Sequence, residues 1–284
     1  MDIKVADQQI FLLDDVLSPE EAKERAWEKR VNAFDAMSKM ASFLSRPRED
    51  DFELLYEEHR YQPFWHVVAR SKYVYDRSAN YQVQASSSEV QSITLQEKEY
   101  EVTKDHFHLA VIEYCTEEQE EDLYVDAVTG SADLELKAYL SNRAKLVKGE
   151  LEKLVPKKSI LVPPQARVSA IMRDALSKMI KGIQADKIIE EHVEVTHIDL
   201  YYRPVYAFQY RWLSKNKEAI VEVDGLTGEI KSGLRVFREY LGRVLDTNFL
   251  FDVGADAAGV FIPGGSIAVK VAKRYLDTKS KKNR

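Results

Sequence analysis

A chain of 284 residues, 45% hydrophobic and 31% charged, has room for two ordinary domains and the composition of a soluble globular protein. Its net charge of −6 argues against a nucleic-acid surface, which needs concentrated Lys and Arg. Cys115 is the single cysteine, so an intrachain disulfide is excluded, as expected of a reducing compartment. No apolar run reaches the roughly 18 residues of a spanning helix, and the start MDIKVADQQIFLLDD lacks the pattern of a signal peptide, so the expected location is cytoplasmic.

The first predicted element is a helix from Ser18 to Leu44. Ser18 is placed to cap it, Pro19 occupies its first turn, and Glu21 completes a capping box. Ala22, Ala26, Val31, Phe34, Met37, Met40, Ala41 and Leu44 repeat near helical spacing, and Pro47 ends the run. Phe52–Asp76 reads as a strand, and Val83, Val90, Ile93, Leu95 and Tyr100 suggest more. Phe107–Cys115 reads as another strand, and the acidic run Thr116–Asp122 as a solvated turn. Leu134, Leu136, Leu140, Ala144, Val147, Leu151 and Leu154 predict a helix stopped by Pro156. The segment from Lys157 to Pro164 reads as a domain boundary, and Ala166–Ile183 as a further helix.

The stretch from Val195 to Ser232 organises the chain. Tyr202, Pro204, Tyr206, Phe208, Tyr210 and Trp212 alternate with Arg203, Gln209 and Arg211, the pattern of a strand with one buried aromatic face. Ala219–Asp224 follows as a second strand, then a tight turn over Asp224-Gly225-Leu226-Thr227-Gly228, and a third short strand at Glu229–Lys231. The predicted form is an antiparallel meander. Leu234–Val244 predicts a closing helix, and a glycine-rich arm with a basic tail completes the chain.

Two features recur. Tyr61-Gln62-Pro63-Phe64-Trp65 parallels Tyr202-Arg203-Pro204-Val205-Tyr206, and V-D-x-x-T-G occurs at both Val125–Gly130 and Val223–Gly228, which predicts an internal repeat. In that reading His106–Cys115 stands where Pro204–Leu213 stands. The predicted fold is α+β: two related lobes of antiparallel sheet backed by helices, over residues 1–156 and 165–245, with a C-terminal arm over 246–284.

The S-P-E-E-A helix start, the later strands and the V-D-x-x-T-G hairpin resemble the PepSY-type unit of peptidase propeptides and sporulation-associated proteins. The resemblance covers Tyr100–Tyr139 and Val195–Phe237. It implies a small α+β module that binds or restrains a partner and does no catalysis of its own. The chain departs from it in lacking an export signal and in the distance from Ser18 to the first V-D-x-x-T-G.

Candidate chemistry is sparse. His106 and His108 share a strand face and could begin a zinc site with His66, Glu113 or Cys115, but Cys115 has the opposite parity. Asp126 and Asp224 precede turns, where Asp caps backbone amides. No G-x-S-x-G elbow, activated-thiol context or phosphate loop is present, so no catalytic residues and no cofactor are assigned. The expected function is a non-catalytic binding or scaffold subunit holding a partner protein or self-associating. The alternatives are a metal-dependent hydrolase centred on His106 and His108 and a peripheral adaptor on an anionic membrane surface. Candidate docking residues lie in the arm: Phe261, Ile262, Ile267, Val269, Lys273 and Arg274.

Overall fold

The computed structural model describes residues 2–34, 47–157 and 159–232. It shows an α+β protein that is mostly sheet. In chain order its strands and α-helices are β1 (Asp2–Val5), β2 (Gln9–Leu13), α1 (Pro19–Lys29), β3 (Phe52–Gln84), β4 (Ser92–Leu95), β5 (Lys98–Glu101) and β6 (His106–Asp126). They continue with β7 (Ala144–Leu146), β8 (Ile160–Leu161), α2 (Val168–Met179), β9 (Lys187–Trp212), β10 (Lys217–Asp224) and β11 (Ile230–Ser232). Two compact units share these elements. Of the described residues, the first comprises 2–6, 68–122 and 172–197, and the second 7–34, 47–67, 123–157, 159–171 and 198–232.

In the second unit the strand order is β11-β10-β9-β2-β7. The meander is antiparallel: Tyr210 faces Ala219 and Phe208 faces Val221 across β9 and β10. The alternating face of β9 is buried because Tyr206, Phe208, Tyr210 and Trp212 pack on Ala22, Ala26, Phe34 and Phe52. Edge contacts of Phe34 with Trp212 and of Trp27 with Tyr210 fix the aromatic geometry. Helix α1 begins as its sequence requires: Ser18 Oγ accepts from Glu21 N, and Glu21 Oε2 accepts from Ser18 N. Regular α-helix ends at Lys29, followed by a 3-10 turn over Arg30–Ala33; the predicted continuation to Leu44 falls outside the described residues.

A second core surrounds Leu13, Phe64, Tyr124, Leu136, Tyr139 and Leu226. Here the predicted helix over Leu134–Leu154 is replaced by a 3-10 segment at Leu134–Ser141, strand β7 and a 3-10 turn at Leu151–Lys153. The buried residues of the first 3-10 segment, Leu136 and Tyr139, are spaced at the i, i+3 period of a 3-10 helix, and Asp133 caps the segment by accepting from Glu135 N. The segment read as a boundary contains β8, which pairs in parallel with β3, Tyr61 beside Leu161.

In the first unit β3 continues to Gln84 and β6 runs unbroken through the acidic segment. Thr116–Asp122 is therefore strand and not a turn. Its carboxylates have partners: Glu117 accepts from Tyr75 at 2.6 Å, Glu120 from Arg70 at 2.7 Å and Glu121 from Lys178 at 2.7 Å. Tertiary pairing overrides the low strand propensity of glutamate. Tyr73 anchors the end of α2, its hydroxyl donating to Met179 O and accepting from Lys181 N. Strand β1 lies in parallel on β9, Ile3 beside Val193, and β4 with β5 forms a separate hairpin.

Candidate functional site

Within the second unit one hydrogen-bond pattern occurs twice. In the first instance Ala127 N donates to Pro63 O at 3.1 Å, and Ala127 O accepts from Gln165 N and Ala166 N. In the second, Gly225 N donates to Pro204 O at 2.9 Å, and Gly225 O accepts from Val16 N and Leu17 N. Each turn is capped by its aspartate, Asp126 Oδ1 taking Val128 N and Thr129 N, and Asp224 Oδ1 taking Leu226 N and Thr227 N. Each turn closes on a glycine with positive φ, 75° at Gly130 and 72° at Gly228. Two residues beyond each proline an aromatic side chain completes the junction: Trp65 Nε1 donates to Ala166 O, and Tyr206 OH to Leu17 O, both at 3.1 Å. Each junction also receives a short parallel strand, β8 beside Tyr61 and β2 beside Tyr202.

This geometry aligns Tyr61–Trp65 with Tyr202–Tyr206, as the sequence suggests. It moves the other half of the correspondence. The strand equivalent to the one bearing Pro204 is β3, which bears Pro63, whereas the His106–Cys115 strand leads into the turn, as β10 does.

The two junctions differ sharply in polarity at one place. Asp15 precedes Val16-Leu17 as Pro164 precedes Gln165-Ala166. Asp15 Oδ2 accepts from Tyr61 OH at 2.6 Å and Asp15 Oδ1 from Tyr206 OH at 3.0 Å, and His59 Nε2 lies 2.8 Å from Asp15 Oδ1. The His59 ring stacks on Tyr206, with centroids 4.4 Å apart. Its other nitrogen, Nδ1, is 2.9 Å from Ser159 Oγ. The side chains of His59 and Asp15 retain 16% and 25% of their exposure, so the cluster is dry enough for strong electrostatics and open enough to be reached. The corresponding positions in the other junction are Pro164, Leu200, Trp65 and Ile10, with Tyr202 matching Tyr61.

Burial alone would raise the Asp15 carboxyl. The His59 imidazole and the Tyr61 and Tyr206 hydroxyls outweigh it and hold Asp15 below the usual carboxylate value. Tyr61 and Tyr206 are both pushed up, by burial first and by Asp15 next. Tyr202 is raised by burial alone.

A second polar group, around Asp224, sits deeper. Arg203 Nη1 and Tyr139 OH both donate to Asp224 Oδ2 at 2.6 Å, and Arg203 Nη2 donates to Gln62 Oε1 at 2.8 Å. Burial would raise Asp224; the Arg203 charge, the Tyr139 hydroxyl and the turn amides bring it below its ordinary value. Gln62 and Arg203, which occupy equivalent positions in the two junctions, are hydrogen-bonded to one another.

The residues singled out in the sequence fare differently. His106 is half-buried with Nδ1 2.9 Å from Lys104 O, and His108 is exposed on the same strand. Among the described residues no group of three or more His, Cys, Asp or Glu side chains is arranged to hold a metal ion. Asp126 and Asp224 both cap turns, and Asp224 adds the buried pair with Arg203. Phe261, Ile262, Ile267, Val269, Lys273 and Arg274 lie outside the described residues, as do the predicted closing helix and arm. No helix among the described residues is long and apolar enough to cross a membrane. The Asp15–His59–Ser159 grouping escaped the sequence reading. Its one local sign is the contrast of Asp14-Asp15 with Pro163-Pro164 at matching places. No protein-family model matches this chain, and neither does any curated protein or solved structure.

Proposed function

We propose that this protein is a binding and scaffold subunit that holds a partner protein through the open face of β6. The observation that carries the reading is Ile112 and Tyr114, which share one face of β6 and stay 60% and 80% exposed. Exposed Glu118 and Glu120 continue the same face. An apolar step beside an acidic one favours a partner that presents an apolar surface flanked by Lys or Arg.

The test is site-specific photo-crosslinking from position 114 in the native host, with position 134 as an equally exposed control on the second unit. One defined partner, captured from 114 and not from 134, and released by the double change Ile112→Ser, Tyr114→Ser, supports the proposal. The same products from both positions, or capture unaffected by the double change, would overturn it.

A further inference from the structure

We infer that Ser159, His59 and Asp15 form a nucleophilic acyl-transfer site acting on small carboxylic esters. This goes beyond partner binding and does not depend on it. Three observations converge. The first is connectivity: Ser159 Oγ to His59 Nδ1 is 2.9 Å, and His59 Nε2 to Asp15 Oδ1 is 2.8 Å. A carboxylate beside Nε2 keeps the imidazole proton on that nitrogen, which leaves Nδ1 to accept from a hydroxyl. The Nε2 contact is short but not aligned as an N–H···O bond, a looseness common in substrate-free sites.

The second observation is support. Asp15 is held by two tyrosine hydroxyls, and the His59 ring is set by stacking on Tyr206 and by its tilted contact with Tyr61. A base oriented from behind by a fixed carboxylate is the arrangement that activates a serine.

The third is the comparison inside the molecule. The other junction builds the same strands, the same turn and the same aromatic bond with Pro164, Leu200 and Ile10 in these places. The fold therefore does not require a carboxylate, an imidazole and a hydroxyl there. Partly burying such groups costs desolvation, so their presence together has a reason other than packing.

The step balances without any further reagent. Ser159 Oγ bonds to the ester carbonyl carbon as its proton passes to His59 Nδ1. The C–O bond to the alcohol breaks, and the leaving oxygen takes that proton. Water then attacks the acyl-serine, giving one proton to His59 and on to Ser159 Oγ, and the carboxylic acid departs. Ser159 and His59 are the catalytic residues, and Asp15 is the positioning residue.

The experiment uses the full chain and a fluorophosphonate probe, with the adduct located by peptide mass mapping. The expected result is a single adduct on Ser159, absent in Ser159→Ala. His59→Leu, which installs the residue of the other junction, should slow labelling about 100-fold or more. Hydrolysis of p-nitrophenyl acetate, followed across a pH series, should show an acyl burst that is absent in Ser159→Ala. Asp15→Asn should lower the rate and displace that pH profile, which loss of a merely structural contact would not do. Folded wild-type protein that gives no Ser159 adduct under excess probe, or that labels equally well as His59→Leu, overturns the inference. Neither result bears on the β6 crosslink, so the two proposals fail separately.

Discussion

The junction at Pro63 and the junction at Pro204 are built from the same parts and differ in what surrounds them. Both have a proline carbonyl, an Asp-capped turn, a positive-φ glycine and an aromatic donor to the chain entering a helix. Around the Pro63 turn, the Asp126 carboxylate accepts from the local amides of Val128 and Thr129. Around the Pro204 turn, Asp224 also holds Arg203 and Tyr139, and Asp15 on the entering chain gathers Tyr61, Tyr206 and His59. What the junctions share is what the backbone needs. What only one of them has must be explained by its own energetics or by its chemistry.

The largest expected effect tests the deeper difference. Asp224→Asn removes the charge facing Arg203 in a buried pair and should cost about 3–5 kcal/mol, because it strands a cation away from water. Asp126→Asn, at the matching turn, keeps an acceptor for the same amides and should cost only about 1 kcal/mol. Urea denaturation of the two variants measures both. Equal losses would mean that the turn cap dominates and the Arg203 pair adds nothing. Phe208→Ala gives an internal scale: a side chain 3% exposed in the aromatic core should cost about 3–5 kcal/mol.

Acid titration sharpens the same contrast. Asp224 and Asp15 both titrate below their ordinary value in the folded protein. A carboxyl with a depressed folded value adds stability above its unfolded value of about 4, and that stability fades as pH falls through the folded value. Wild type should therefore lose stability progressively below pH of about 4, and Asp224→Asn should lose less over the same window. Parallel curves for the two proteins would show that Asp224 is not linked to folding. The measurement is the urea midpoint at a series of pH values.

How far these features could be read in advance depends on range. The buried face of β9, the Ser18 capping box and the glycine turns follow from neighbours along the chain, and their period or motif announces them. The acidic strand did not announce itself, because Glu117, Glu120 and Glu121 are stabilised in β6 by Tyr75, Arg70 and Lys178, all far away in sequence. The leucines at 134–154 carried a helical period into a segment whose backbone turns twice and pairs once. Ser159 and His59 are 100 residues apart and meet only because β8 lies in parallel beside β3. No local pattern encodes such a meeting. The likeness of the stretches at Pro63 and Pro204 was legible along the chain, yet the strand matched to the one bearing Pro204 was misplaced, since a long β3 separates Pro63 from the turn that it holds.

A smaller effect separates the two turns at a single atom. Residue 127 is alanine and residue 225 is glycine, although both donate to a proline carbonyl. A Cβ at Gly225 would lie 2.9 Å from Pro204 Cβ and Cγ and 3.0 Å from Pro204 O. Gly225→Ala should therefore cost about 1–3 kcal/mol through displacement of β9 against the turn. Ala127→Gly should cost about 1–2 kcal/mol, from the loss of backbone restriction and of one buried methyl. If Gly225→Ala proves neutral, the close approach is soft, and the two turns are more alike than their geometry indicates.

The smallest expected effect belongs to the first unit and marks the boundary between folding and binding. Tyr114 is 80% exposed on β6, whereas Cys115, at the next position, is half-buried. Removing an exposed aromatic ring from a strand that has partners elsewhere along its length deletes little buried area, so Tyr114→Ser should leave the urea midpoint unchanged. The same change should weaken capture of the partner proposed for this face, because exposed aromatic side chains become energetic centres only when a second surface covers them. A large fall in stability without a partner present would show that Tyr114 already packs within the protein. An unchanged midpoint together with unchanged capture would remove the β6 face from the binding proposal and leave the Ser159 cluster as the remaining lead to function.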